Sequence, residues 1–213
     1  MHMRKYIFSV LVMLTFNGLQ AQYPGYTLVK DLSQFNKEFA AAAKNTHTIK
    51  SDFIQEKNLS MLSEKIVSKG KFWFSKDSKV RMEYTQPFNY TMVINKDRVY
   101  INDGQKENTI STKSNRIFQQ IIKITLDCVQ GTAIQNKDFN TRVFDNKSNY
   151  LVELNPVNKG IKDYFSRIKI FIDKKDYSVS SVEMVELSDD NTIIHFTNKS
   201  LNAPIPEQLF AIR

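Results

Sequence analysis

The sequence predicts a mainly β protein of α+β class: an antiparallel sheet of about eleven strands curled into a barrel or near-barrel, with an N-terminal helix and a helical insert as candidate lid or plug. Three observations predict it. Apolar residues alternate with a period of two through most of the chain after Thr46. Short polar clusters that tolerate turn geometry interrupt these runs at close intervals. Fifteen Phe and nine Tyr in 213 residues exceed what one small core needs, which suits a wide curved sheet that its own side chains do not fill.

The first segment is set aside from the fold. Arg4 and Lys5 precede an apolar stretch from Tyr6 to Phe16, and small or polar residues follow to Ala21. That order is expected of a secretory signal peptide over residues 1–21. The apolar stretch is about eleven residues, against the roughly twenty that cross a bilayer as a helix. Residues 22–213 are then expected to form a single domain, exported and soluble, since no Pro-, Gly- or Ser-rich linker and no internal repeat divides them. Without Arg4 and Lys5 the net charge of +8 falls to about +6. The remaining basic residues are spread out, so a solvated surface or an anionic membrane or protein surface fits better than nucleic acid. Cys128 is the single cysteine, makes no internal disulfide, and reads as a buried small hydrophobe. No cysteine near Ala21 invites lipid attachment.

Residues 28–44 place Leu32, Phe35, Phe39 and Ala42 at spacings of three or four, with four alanines favouring helix. From Thr46 onward Ile49, Ser51, Phe53 and Gln55 share one side of an extended segment, and Lys50, Asp52 and Glu56 the other. Ile66, Gly70, Phe72 and Phe74 then stand opposite Lys69, Lys71 and Trp73. Strands with one wet face belong to antiparallel sheets. Turns are expected at Lys76–Ser78, Asn95–Asp97, Asn102–Gly104, Asp145–Ser148, Asp173–Asp176 and Asp189–Asn191. Between the two strand runs, residues 116–131 space Phe118, Ile121, Ile122, Leu126 and Val129 helically, and Gly131 is placed to end the helix.

Little points to catalysis. His47 starts a strand, His195 lies mid-strand, and no HExxH, CxxC or GxSxG spacing occurs. Asp189–Asp190 and the pair Asp173 and Asp176 sit in turns, where solvation accounts for them. No catalytic residue, metal ligand or cofactor is expected, and Gly70 suits a bend in a strand better than a phosphate loop.

The run FIQEKNL, then SKGKFWFSKDSKVRMEYTQP and TMVINKDRVYIND, resembles the LolA family of periplasmic lipoprotein carriers. The matching positions are Phe53 and Gln55, Gly70, Phe72, Trp73 and Phe74, Met82 and Tyr84, Gln86 and Pro87, then Val99 to Asp103. The resemblance is dense over residues 47–103. It implies an incomplete barrel wrapped round helices that holds acyl chains and shuttles lipoproteins between two membranes in the periplasm. The implied partners are acylated lipoproteins or lipid, an inner-membrane ABC-type release complex and an outer-membrane acceptor, with the carrier itself a monomer. Two departures stand out. Lys76–Asp77 replaces a basic residue followed by Pro, which makes Lys76 the nearest equivalent of a lid- or loop-controlling charge without the fork of arginine. Met82 replaces a bulky aromatic with an adaptable thioether.

Strand parity offers the inward face on which acyl chains would lie. It comprises Ile49, Phe53, Phe72, Phe74, Val80, Met82, Tyr84, Met92 and Ile94, with Phe118, Ile121 and Ile122 approaching from the insert. Each is either cavity wall or packed core, and parity does not separate the two. Trp73 falls on the opposite face, where a partner surface would meet it. Two other readings remain beside the carrier: a lipoprotein-sensing or lipid-carrying paralogue on the same fold, and an enzyme acting on lipid within the barrel, for which Ser51, Gln55 and Glu83 are the nearest polar groups.

Overall fold

Alternating strands joined by tight turns build one continuous sheet. The structure is a computed structural model that describes residues 23–62, 64–111, 119, 123–124, 126–127 and 132–212. The chain order is β1 (Thr27–Leu28), α1 (Ser33–Asn45), β2 (Thr48–Leu59), β3 (Glu64–Ser75), β4 (Lys79–Gln86), β5 (Tyr90–Asn95), β6 (Arg98–Asn102) and β7 (Glu107–Ser111). There follow β8 (Phe139–Asp145), β9 (Asn149–Pro156), a short α2 (Lys159–Lys162), β10 (Phe165–Asp173), β11 (Val179–Glu186) and β12 (Asn191–Leu201). The twelve described strands pair antiparallel in the order β1-β8-β9-β10-β11-β12-β2-β3-β4-β5-β6-β7. The sheet does not close, and β1 and β7 are its edges. Twelve described strands stand against the eleven or so expected, and β1, two residues long, is too short to show an alternation.

The turns fall where the polar clusters stand. Ser78, Lys96, Gly104, Tyr177 and Asp189 adopt positive φ, a conformation tight hairpins demand. Asn102 Oδ1 accepts from the Gly104 N–H at 2.7 Å, and Asn146 Oδ1 accepts from the Ser148 and Asn149 N–H groups. Asn side chains thus shape the backbone locally, as in Asx turns. Gly70 has a different reason to be glycine. A Cβ there would meet the Glu83 carbonyl oxygen at 2.1 Å and the Phe53 ring at 2.7 Å, so the missing side chain is the space into which Phe53 packs.

Helix α1 buries Phe35, Phe39 and Ala43, one turn apart in succession, against the inner face of the sheet. With Val143, Val152, Leu154, Ile168, Ile170 and Ile172 these phenylalanines form one closed core. A second inner cluster joins Phe53, Phe72, Phe74, Val80, Ile94 and Val99, flanked by Met82, Met92 and Leu126. Phe118, Ile121, Ile122 and Cys128 lie outside the described residues, as does the expected signal peptide; of the insert, Gln119, Lys123, Ile124, Leu126 and Asp127 are helical.

Both ends of the described residues run over the outer face. The Tyr23 hydroxyl donates to Glu153, and its ring meets Phe144 edge-on at 5.0 Å. Glu153, fully buried, also accepts from Arg142 and from Asn155. Burial pushes its carboxyl up, but the hydrogen bonds from Tyr23, Asn155 and Arg142 outweigh that and hold it below its ordinary value. At the other end Phe210, Leu209 and Ile205 cover Trp73 and Val93, and the Arg81 guanidinium lies 5.9 Å from the Trp73 ring centre. Trp73 faces outward as parity expects, yet it is only 8% exposed. The C-terminal segment occupies the place where a partner was expected to meet it.

Candidate functional site: an apolar cavity beneath the first helix

The alternation of β2 to β5 directs Ile49, Phe72, Val80, Met82, Met92 and Ile94 toward the second half of helix α1, and these side chains do not meet it fully. A cavity of about 150 Å³ remains. Its roof is Phe39, Ala42, Ala43 and Thr46 of the helix and its C-terminal cap. The alanines are good helix formers, and their small side chains leave the space open. Ile124 adds a contribution from the insert. The far wall comes from Val179, Val182 and Met184 of β11 and Ile194 and Phe196 of β12. Phe196 meets Phe72 edge-on at 5.2 Å.

Three residues of the same parity lie elsewhere. Phe53 and Phe74 are each only 1% exposed and are packed core, Phe53 because Gly70 leaves room for it. Tyr84 stands edge-on to Phe53 at 4.9 Å and donates its hydroxyl to Gln55 Oε1 at 2.9 Å. Burial first, and the neighbouring Tyr90 second, push the Tyr84 phenol up to about 12, so it stays a neutral donor. None of these three is among the residues that line the cavity. The residues that inspection passed over are those of β11, β12 and the helix roof. Ile194 and Phe196 stand two apart in an extended run, and that alternation was the available signal.

Polar groups gather at one margin. Lys199 is the single ionised side chain among the described lining residues, beside Ser51, Ser178 and Tyr177. Lys199 Nζ donates to Ser178 Oγ, and Ser178 Oγ donates in turn to Asp176 Oδ1 at 2.6 Å. Ser51, 3% exposed, has a hydroxyl with no hydrogen-bond partner among the described residues. Lys76 does not line the cavity but meets the end of its roof helix. Its Nζ donates to the Lys44 carbonyl at 3.0 Å, one of the last carbonyls of α1, which lack partners within the helix. Among the described residues no group of three His, Cys, Asp or Glu side chains is placed to hold a metal ion. No described helix is long and apolar enough to cross a membrane.

An apolar cavity between an open antiparallel sheet and a helix agrees with one family comparison. The profile described as outer membrane lipoprotein carrier protein LolA matches residues 44–213. The chain belongs to the LolA family. Among curated proteins no relative matches it by sequence. Solved structures share its fold at low identity. An uncharacterised conserved protein from Thermus thermophilus superposes with a TM-score of 0.52 at 9% identity, over 86% of this chain and 95% of that one. MucB superposes with a TM-score of 0.52 at 13% identity, over 87% of this chain and 64% of MucB. A chain of the Pseudomonas aeruginosa MucA/MucB complex gives 0.51 at 10%, over 84% of this chain and 60% of that one. The chain thus spans less than two thirds of MucB. Such identities speak for the fold alone, and a LolA-family fold points to a carrier-type protein that binds lipoproteins or lipid.

Proposed function

We propose that this protein is a periplasmic carrier that takes lipoprotein acyl chains into the cavity beneath α1 and moves them from the inner to the outer membrane. The observation that carries this reading is an apolar cavity, roofed by one helix, in a chain matched over residues 44–213 by the lipoprotein-carrier family. Each methylene removed from water contributes about 0.8 kcal/mol, so an acyl chain has reason to enter. Release must remain feasible, and three adaptable thioethers in the wall, Met82, Met92 and Met184, suit a guest held without exact packing.

The cavity of about 150 Å³ compares with an engineered apolar void that admits a benzene-sized guest. Drug-sized ligands occupy roughly 300–1,000 Å³. Whole acyl chains therefore require the roof to lift. Lys76 on the Lys44 carbonyl is one contact such a motion breaks, and this is the sense in which it controls the lid. An ABC-type release complex at the inner membrane would load the carrier and an outer-membrane acceptor would unload it. Incubating the mature protein with inner-membrane vesicles bearing a labelled acylated lipoprotein tests the reading. A soluble complex of the two is expected, and lipoprotein that stays with the vesicles in the presence of the release complex contradicts it.

A further inference from the structure

The cavity carries a cation that packing does not require, and the backbone is bent to put it there. Strand β12 pairs with β2 in regular register from Asn191 opposite Asn58 to Thr197 opposite Asp52, and resumes at Ser200 opposite Lys50. Two residues, Asn198 and Lys199, therefore face one, Ser51. Asn198 adopts φ 51°, and its amide donates to Asp52 Oδ2 at 2.8 Å, which anchors the bulge on the outer side. The extra residue reverses the alternation. Ile194 and Phe196 line the cavity, and the next residue to do so is Lys199, not Asn198. Bulges beside functional sites commonly re-aim a side chain in this way.

What meets that ammonium is thin. Its hydrogen-bond acceptor is the Ser178 hydroxyl, and Asp176 reaches it only through that serine. No carboxylate of the described residues forms an ion pair with it. Across the bulge the buried Ser51 hydroxyl, free of a partner among the described residues, also faces the cavity. A cation and an unpartnered hydroxyl at the margin of a largely apolar cavity form a receptor for anionic oxygens whose carrier is a hydrocarbon chain. We propose that the cavity prefers an acyl or alkyl chain bearing an anionic oxygen head, carboxylate or phosphate, received by Lys199 Nζ with the hydroxyl of Ser51, while Ser178 and Asp176 hold the ammonium in place. This preference rests on the lipid-binding reading of the cavity and adds a polar end to its guest.

Calorimetric titration of the full mature chain with dodecanoate, dodecyl phosphate and dodecanol, equal in chain length, tests it. A hydrogen bond to a charged group in a sheltered site changes affinity by about tenfold or more. The wild type is expected to bind at least one of the two anions about tenfold tighter than the alcohol, and which anion leads separates a carboxylate from a phosphate guest. Lys199→Met is expected to bind all three with the affinity of the alcohol, and Lys199→Arg to keep the preference. Equal wild-type affinity for anions and alcohol overturns the head-group preference while leaving the lipid cavity standing. Binding of none of the three overturns the lipid reading and the preference together. The wild-type comparison decides the matter even if a variant fails to fold.

Discussion

The two halves of the inner face are built from the same alternation and end differently. Over β8, β9 and β10 the inward residues are Val143, Val152, Leu154, Ile168, Ile170 and Ile172, each at most 1% exposed, and Phe35 and Phe39 of α1 close over them. Over β3, β4 and β5 the inward residues include Met82 and Met92, which are only partly buried around the cavity. The difference lies in what comes down from above. One half receives both Phe35 and Phe39 from α1; the other has Phe39 in its roof beside Ala42 and Ala43, which are too short to reach the sheet. Packing and binding here are two outcomes of one strand pattern, decided by the size of the residue opposite.

The largest expected effect comes from closing the space on which the binding half is founded. Gly70→Ala must displace both the Glu83 carbonyl and the Phe53 ring, and should cost about 3 kcal/mol or more in chemical denaturation. In the packed half, Ile168→Ala or Leu154→Ala should cost about 3 kcal/mol through the void each leaves, with acyl-chain affinity little changed per folded molecule. In the binding half, Met92→Ala should cost only about 1 kcal/mol, because a cavity already stands beside it, but should alter acyl-chain affinity several-fold. If both substitutions cost the same, the contrast between the halves is lost. Val80→Phe sharpens it from the other side, since filling the cavity should leave stability within about 1 kcal/mol and abolish acyl-chain uptake.

The smallest effect concerns the outer face beneath the packed half. Glu153 titrates below its ordinary value of 4.5 when folded. The stability it adds is therefore present above that value and is lost as pH falls through 4.5 toward the lower folded value. Glu153→Gln should flatten the decline in stability below about pH 4.5, as followed by denaturation midpoints. A decline of unchanged steepness would show that the bonds from Tyr23, Arg142 and Asn155 do not hold the carboxylate.

Much of the sheet was legible in the sequence because period-two alternation and Asx-type turns are local properties. Ile49, Phe72, Val80, Met82, Met92 and Ile94 stand on the cavity wall where parity directs them. Phe53 and Phe74 share that parity and pack as core, with Tyr84 partly buried against them, a distinction set by Gly70 and by residues far away in sequence. Lys199 was hidden for a physical reason: parity counted along β12 points it outward, and only the bulge at Asn198 turns it in. Trp73 was legible in direction but not in burial, since its cover comes from Phe210, distant in the chain and adjacent in space. The roof alanines read as helix formers, and their second role, leaving room, depends on what lies beneath them.

Under the proposed function, acyl chains occupy the space between α1 and strands β3, β4, β5 and β11. Protein prepared without residues 1–21 contains four methionines, Met61, Met82, Met92 and Met184. Three line the cavity, while Met61 is 91% exposed at a hairpin tip. Methionine methyl NMR during titration with a diacylated lipopeptide is therefore the most direct measurement. The account predicts that the Met82, Met92 and Met184 signals shift together and saturate while that of Met61 stays in place. A shift confined to Met61, or none at the other three, would contradict it.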